Sequence, residues 1–118
     1  MARSGSYHKV DIYLYEHMLA EAMAEVDHSF HSSDLERVIQ ATRTDFPDWG
    51  IRKCKQRAEG IMNEGKAKYY DSAIDWVRTA RDIYLQHDRG AEWQAYLNGL
   101  LELHARKYKL VPMLREIR

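Results

Sequence analysis

The chain has 118 residues, 45% hydrophobic and 31% charged, a globular mixture sized for one compact domain rather than a disordered chain. Its 18 Lys and Arg balance 18 Asp and Glu, which argues against a nucleic-acid domain held by net charge, and no apolar run approaches the ~20 residues of a membrane span. The single cysteine excludes an internal disulfide and fits a reducing cytoplasm, and the small polar start Met1 to Ser6 has no signal-peptide pattern, so a cytoplasmic location without a membrane partner is expected.

The elements follow in chain order. Residues 1–6 read as a flexible N-terminal tail and residues 7–118 as one helical domain. Ile12, Tyr15, Leu19, Ala22 and Val26 recur at three- and four-residue steps, which predicts a helix from about Tyr7 to Asp27. Ser33-Asp34-Leu35-Glu36 has the spacing of a capping box and predicts a short helix from Asp34 to about Arg43, with Leu35, Val38 and Ile39 inward. Pro47 suits the first turn of the next helix, whose stripe is Ile51, Cys54, Ala58, Ile61 and Met62 and whose stop is Gly65. Tyr70, Ala73, Ile74, Val77, Ala80 and Tyr84 form the following stripe. Tyr69, Trp76 and Ile83 form a second one, as for a helix sandwiched between neighbours. Asp88-Arg89-Gly90 breaks that helix. Trp93, Tyr96, Leu97, Leu100, Leu101 and His104 carry the period to about Lys107, and a short segment from Leu110 to Ile117 closes the chain as a cap.

The expected fold class is all-α, with about six helices stacked as hairpins in a tetratricopeptide-like, right-handed solenoid fragment. Residues 51–84 hold one helix–turn–helix unit near the usual ~34-residue period. Ala73 and Ala80 supply small side chains where two helices approach, and Trp93, Tyr96, Leu97 and Leu100 restart the pattern. The turn from Gly65 to Tyr70 is longer than the standard repeat has.

Two runs carry a family resemblance. One is Tyr70-Asp71-Ser72-Ala73-Ile74-Asp75-Trp76-Val77 with Ala80-Arg81 and Ile83-Tyr84. The other is Glu92-Trp93-Gln94-Ala95-Tyr96-Leu97 with Arg106-Lys107-Tyr108-Lys109 and Leu110 to Leu114. Together, over residues 46–117, they resemble the C-terminal tetratricopeptide-like region of bacterial SWIM zinc-finger family proteins. That family's finger is a Cys-x-Cys…Cys-x-His arrangement lying upstream. With one cysteine, this chain lacks it, and neither zinc nor finger contacts carry over. The resemblance implies a helical scaffold for protein contacts.

No phosphate loop, nucleophile elbow or metalloprotease motif is present, and the carboxylates do not form a catalytic pair, so no catalytic residue, cofactor or enzyme activity is expected. His28 and His31, with Asp27 nearby, are the metal candidates, but no third His or Cys lies close in sequence and no bound metal is expected. A metal protein or enzyme using His28, His31 and Cys54 is the third reading. Cys54 itself reads as a buried thiol on an apolar stripe, and His104 as a packed, hydrogen-bonded core histidine.

The charge is unevenly spread: residues 1–50 carry 4 basic and 9 acidic groups, and residues 51–118 carry 14 and 9. Such a dipole can steer a charged partner. The primary expectation is a non-enzymatic helical-repeat module that binds a protein partner in a groove between hairpins, with Tyr69, Lys53, Arg57, Lys66 and Lys68 as candidate contacts. The alternative is a nucleic-acid-binding accessory domain that uses the basic residues of 52–68, followed by Tyr69 and Tyr70, together with the C-terminus.

Overall fold

In a computed structural model of the protein, the described residues are 18–27 and 32–117. Among them all regular structure is helical and no strand occurs. The expected tail, the expected helix before Met18, and His28 and His31 lie outside the described residues. The chain divides between Phe46 and Pro47 into two compact units. Residues 1–46 hold 4 basic and 8 acidic groups, whereas residues 47–118 hold 14 and 10, so the charge asymmetry follows the division.

The first unit contains α1 (Leu19–Asp27) and α2 (Ser32–Thr42). Ala22 and Val26 on α1 and Leu35, Val38 and Ile39 on α2 are buried, the three- and four-residue spacing that the sequence shows. Helix α2 begins at Ser32, so Ser33 lies inside the helix and not at its cap. Asp34 keeps the first-turn position that the helix dipole favours. Its buried Oδ1 accepts from Arg37 Nη1 at 3.3 Å. The hydroxyl of Thr42 donates back to the Val38 carbonyl at 2.7 Å, which satisfies a buried polar group near the helix end.

The second unit contains α3 (Pro47–Glu64), a 3-10 turn (Ala67–Tyr69), α4 (Tyr70–Gln86), α5 (Gly90–Leu103) and α6 (Leu110–Arg115). Pro47 opens α3, and Gly65, with φ +72°, closes it in the left-handed region that glycine adopts without steric cost. The 3-10 turn fills the extra length before α4. It also takes Tyr69 out of the α4 register: Tyr69 is 46% exposed and Trp76 only half-buried, and of that second stripe Ile83 alone is buried. The first stripe is buried throughout, from Tyr70 to Tyr84.

Helices α3 and α4 form the main antiparallel pair, as their short connection requires. Cys54 and Ala58 on α3 and Ala73 and Ala80 on α4 are fully buried, so small side chains set a close approach, and Met62, Val77 and Ile83 fill the space around them. Burying each of the larger side chains contributes about 1.5–3 kcal/mol. Helix α5 packs on α4 through Trp93, Leu97 and Leu100, and α6 rests on α4 and α5 with Leu110 and Leu114 buried. Pro112 sits in the first turn of α6, where its missing N–H costs nothing.

Candidate functional site

The end of α4 determines what its neighbour presents. Asp88, φ +61°, takes the left-handed position after the helix; its N–H donates to the Leu85 carbonyl at 3.2 Å, and the Arg89 N–H donates to the Tyr84 carbonyl at 2.8 Å. That paired arrangement is a Schellman ending with Asp in the place glycine usually holds. Asp88, and not Gly90, therefore makes the break. The ending projects the Arg89 side chain toward the start of α3.

There Arg89 is bound three times. Its Nη1 donates to Asp48 Oδ1 at 2.7 Å, while Nε and Nη2 donate to Glu92 Oε2 and Oε1, both at 2.8 Å, a bidentate fork. The bonds to Glu92 first, and then to Asp48, raise the guanidinium above its ordinary range, and Arg89 in turn lowers Glu92. The guanidinium also lies 5.3 Å from the centroid of the Tyr84 ring.

Lys55, one side of α3 further along, holds its ammonium 5.5 Å from the Tyr84 ring and 4.5 Å from the Tyr96 ring. Cation–π attraction of this kind is worth ~0.5–2 kcal/mol, more when the ammonium is desolvated. The Tyr96 hydroxyl donates to Glu59 Oε2 at 2.7 Å and titrates above its ordinary range, by burial first and by this bond second.

All of these groups but Tyr96 line a groove of about 340 Å³ formed by α3, the end of α4 and the start of α5. Its three carboxylates, Asp48, Glu59 and Glu92, all accept from Arg89 or Tyr96. Of the other cations that line it, Arg52 has no carboxylate partner among the described residues, and Lys55 forms no salt bridge there, though its charge helps to lower Glu92. Chemically the groove offers cationic donors, its one lining aromatic, Tyr84, is buried against Lys55 and Arg89, and its acids are already hydrogen-bonded.

The five contacts expected from sequence lie elsewhere. Lys53 is 5.9 Å from the Trp49 ring, and Arg57 is one turn further along α3; neither lines the groove. Lys66, Lys68 and Tyr69 lie beyond the far end of α3, with the Lys68 ammonium 5.2 Å from the Tyr69 ring. The structure thus joins Lys68 to Tyr69 and leaves Lys53 and Arg57 apart from them.

A second cavity, about 170 Å³, opens at that far end between Gly65, Ala67 and Tyr70 on one side and Lys107, Tyr108 and Lys109 on the other. Lys107 Nζ donates to the Met62 carbonyl at 2.7 Å, and the Gly65 N–H donates to the same oxygen at 3.1 Å, so one terminal carbonyl of α3 uses both lone pairs.

Cys54 is buried, as its stripe requires. His104 is buried too, but its Nε2 has no hydrogen-bond partner among the described residues, unlike the satisfied histidine that the sequence suggests. Burial, with the Lys107 charge second, holds its imidazole below the ordinary range. Among the described residues no three His, Cys, Asp or Glu side chains converge to hold a metal ion. None of the helices searched there is long and apolar enough to cross a membrane. No family model, curated protein or solved structure matches the chain.

Proposed function

We propose that the chain is a non-enzymatic helical-repeat module that binds a protein partner, with tetratricopeptide-like stacking of its second unit. The observation that carries this reading is the link from α5 back to α3. Arg89 to Asp48 and Tyr96 to Glu59 link the first helix of the next hairpin, through side chains, to the first helix of the preceding one. In helical-repeat arrays that surface is the one that binds partners. The proposed kinship with the C-terminal region of SWIM zinc-finger family proteins is consistent with such a scaffold.

The occupant of the groove would be a short helical or extended segment of the partner carrying an acidic group, because Arg52 is exposed there without a carboxylate partner and Lys55 is held by two tyrosine rings rather than by a salt bridge. A photo-crosslinking side chain at Gln56, tested in the native cell, should yield one discrete protein adduct that Lys55→Glu removes. The same side chain at Ser72, exposed on α4, should not yield it. An identical adduct from both positions, or none from Gln56, would refute the groove as the binding surface.

The nucleic-acid alternative, which uses the basic residues of 52–68 and the C-terminus, shares Arg52 and Lys55 with this groove and differs from it at Lys66, Lys68 and the C-terminal segment.

A further inference from the structure

We propose that the far end of the second unit, beyond the C-terminus of α3, binds single-stranded nucleic acid. Lys66, Lys68, Arg106 and Lys109 would hold phosphates there, and Tyr108 and Tyr69 would stack on bases. This goes beyond the protein-binding reading and does not depend on it.

Two segments meet at this end. Residues 65–70 and 104–110 line one cavity and are tied through the Lys107 bond to Met62. Together they contain five Lys and Arg and no Asp or Glu; Glu64, Asp71 and Glu102 flank them. Lys107 is committed to the helix end. The other four cations are exposed and have no carboxylate partner among the described residues. Charge left unpaired in this density does not help the fold, since like charges repel.

The aromatic side chains favour nucleic acid over an acidic peptide. Tyr108 is 82% exposed, with Lys107 and Lys109 on either side of it in sequence, and Tyr69 is 46% exposed beneath the Lys68 ammonium. Aromatic faces interleaved with cations follow a single strand, because each exposed base offers a face to stack on. A duplex keeps its bases stacked inside and leaves these rings without a partner. The zero net charge of the chain does not oppose this. Fields are screened beyond ~10 Å at 0.1 M salt, so a strand would experience the local patch.

The test uses the full chain and a fluorescein-labelled oligothymidylate of about 12 nucleotides, followed by anisotropy between 50 and 200 mM salt. Four phosphate contacts predict a log–log slope near −3, hence about 50-fold weaker binding across that range. Tyr108→Ala should weaken binding by roughly 5- to 100-fold at fixed salt. The double variant Lys68→Glu, Lys109→Glu should abolish binding, whereas Lys55→Glu in the groove should leave it unchanged. Circular dichroism of each variant checks the fold. Absence of binding at 50 mM salt overturns the proposal. So does full affinity in both Tyr108→Ala and Tyr69→Ala, or displacement by polyglutamate as effective as by unlabelled oligothymidylate, since either result leaves a patch that holds any polyanion.

Discussion

The two ends of the α3–α4 pair use the same residue types in opposite ways. At the groove end the charges, Arg52 excepted, are turned inward: Arg89 is forked onto Glu92 and Asp48, Lys55 lies over two tyrosines, and Tyr96 holds Glu59. At the far end Lys66, Lys68, Arg106 and Lys109 are exposed without carboxylates, and Tyr108 is bare. Along α3 the groove runs from Asp48, about 26 Å from Gly65, to Glu59, about 9 Å from it, so even its near edge lies about one screening length away at physiological salt. Net charge conceals this difference. What matters is which charges are already satisfied within the fold and which remain available to something outside it.

The largest effect should come from the scaffold both ends share. Ala73→Leu adds bulk to a fully buried contact between α3 and α4 and should destabilise by ~1–3 kcal/mol, while Ala95→Leu, on the exposed side of α5, should stay within about 0.5 kcal/mol. Thermal melts that rank the two the other way would mean that the close approach has been misread and that neither end is positioned as described.

Next in size is an acid sensitivity confined to the far end. The fold favours neutral His104, and the unfolded chain takes up that proton near pH 6.5. The unfolded state therefore binds more protons below that pH, and stability falls as pH drops through it. The wild type should melt lower at pH 5.5 than at pH 7.5, and His104→Gln should narrow the gap. An unchanged gap would assign the acid loss to other groups.

The groove end can be strengthened in a way the far end cannot. Asp88 occupies a left-handed position that already has its glycine counterpart at Gly65. Asp88→Gly should raise stability by roughly 0.5–1 kcal/mol, and Gly65→Ala should lower it, both measured by denaturant midpoint.

The smallest effect measures the contrast itself. A double-mutant cycle on Asp48 and Arg89 should give a coupling of about 0.2–1 kcal/mol, small because the Asp48 side chain is 79% exposed. A cycle on Lys68 and Lys109 should give no favourable coupling, since like charges repel. Equal couplings at the two ends would remove the distinction between them.

Most of the helices were legible because each keeps one period over many residues. The stripes of α3 to α6 are buried nearly as their spacing indicates, and Gly65 ends α3 where the pattern stops. The helical period puts Tyr69 in the α4 register, but a 3-10 turn advances the chain differently from an α-helix, and nothing in Lys66-Ala67-Lys68-Tyr69 announces that turn. The groove was illegible for another reason. Arg89 and Asp48 are 41 residues apart, and Tyr96 and Glu59 are 37 apart. Helical periodicity reports which side of a helix is apolar, but not which polar side chain of one helix meets which of another. Arg89 reads in sequence only as part of a break, and its role follows from the conformation of Asp88.

The bond from Lys107 to the Met62 carbonyl spans 45 residues and has a consequence for the order of assembly. The α3–α4 hairpin needs only contacts closer along the chain and can form early, whereas this bond closes a loop of 45 residues and must wait for α5 to dock. The far end is therefore completed last and opens first. Its amides should exchange with solvent through partial openings that leave the hairpin intact. Any ligand gripping both the 65–70 and 104–110 segments would act as a second clasp, slowing that exchange and delaying the first step of unfolding.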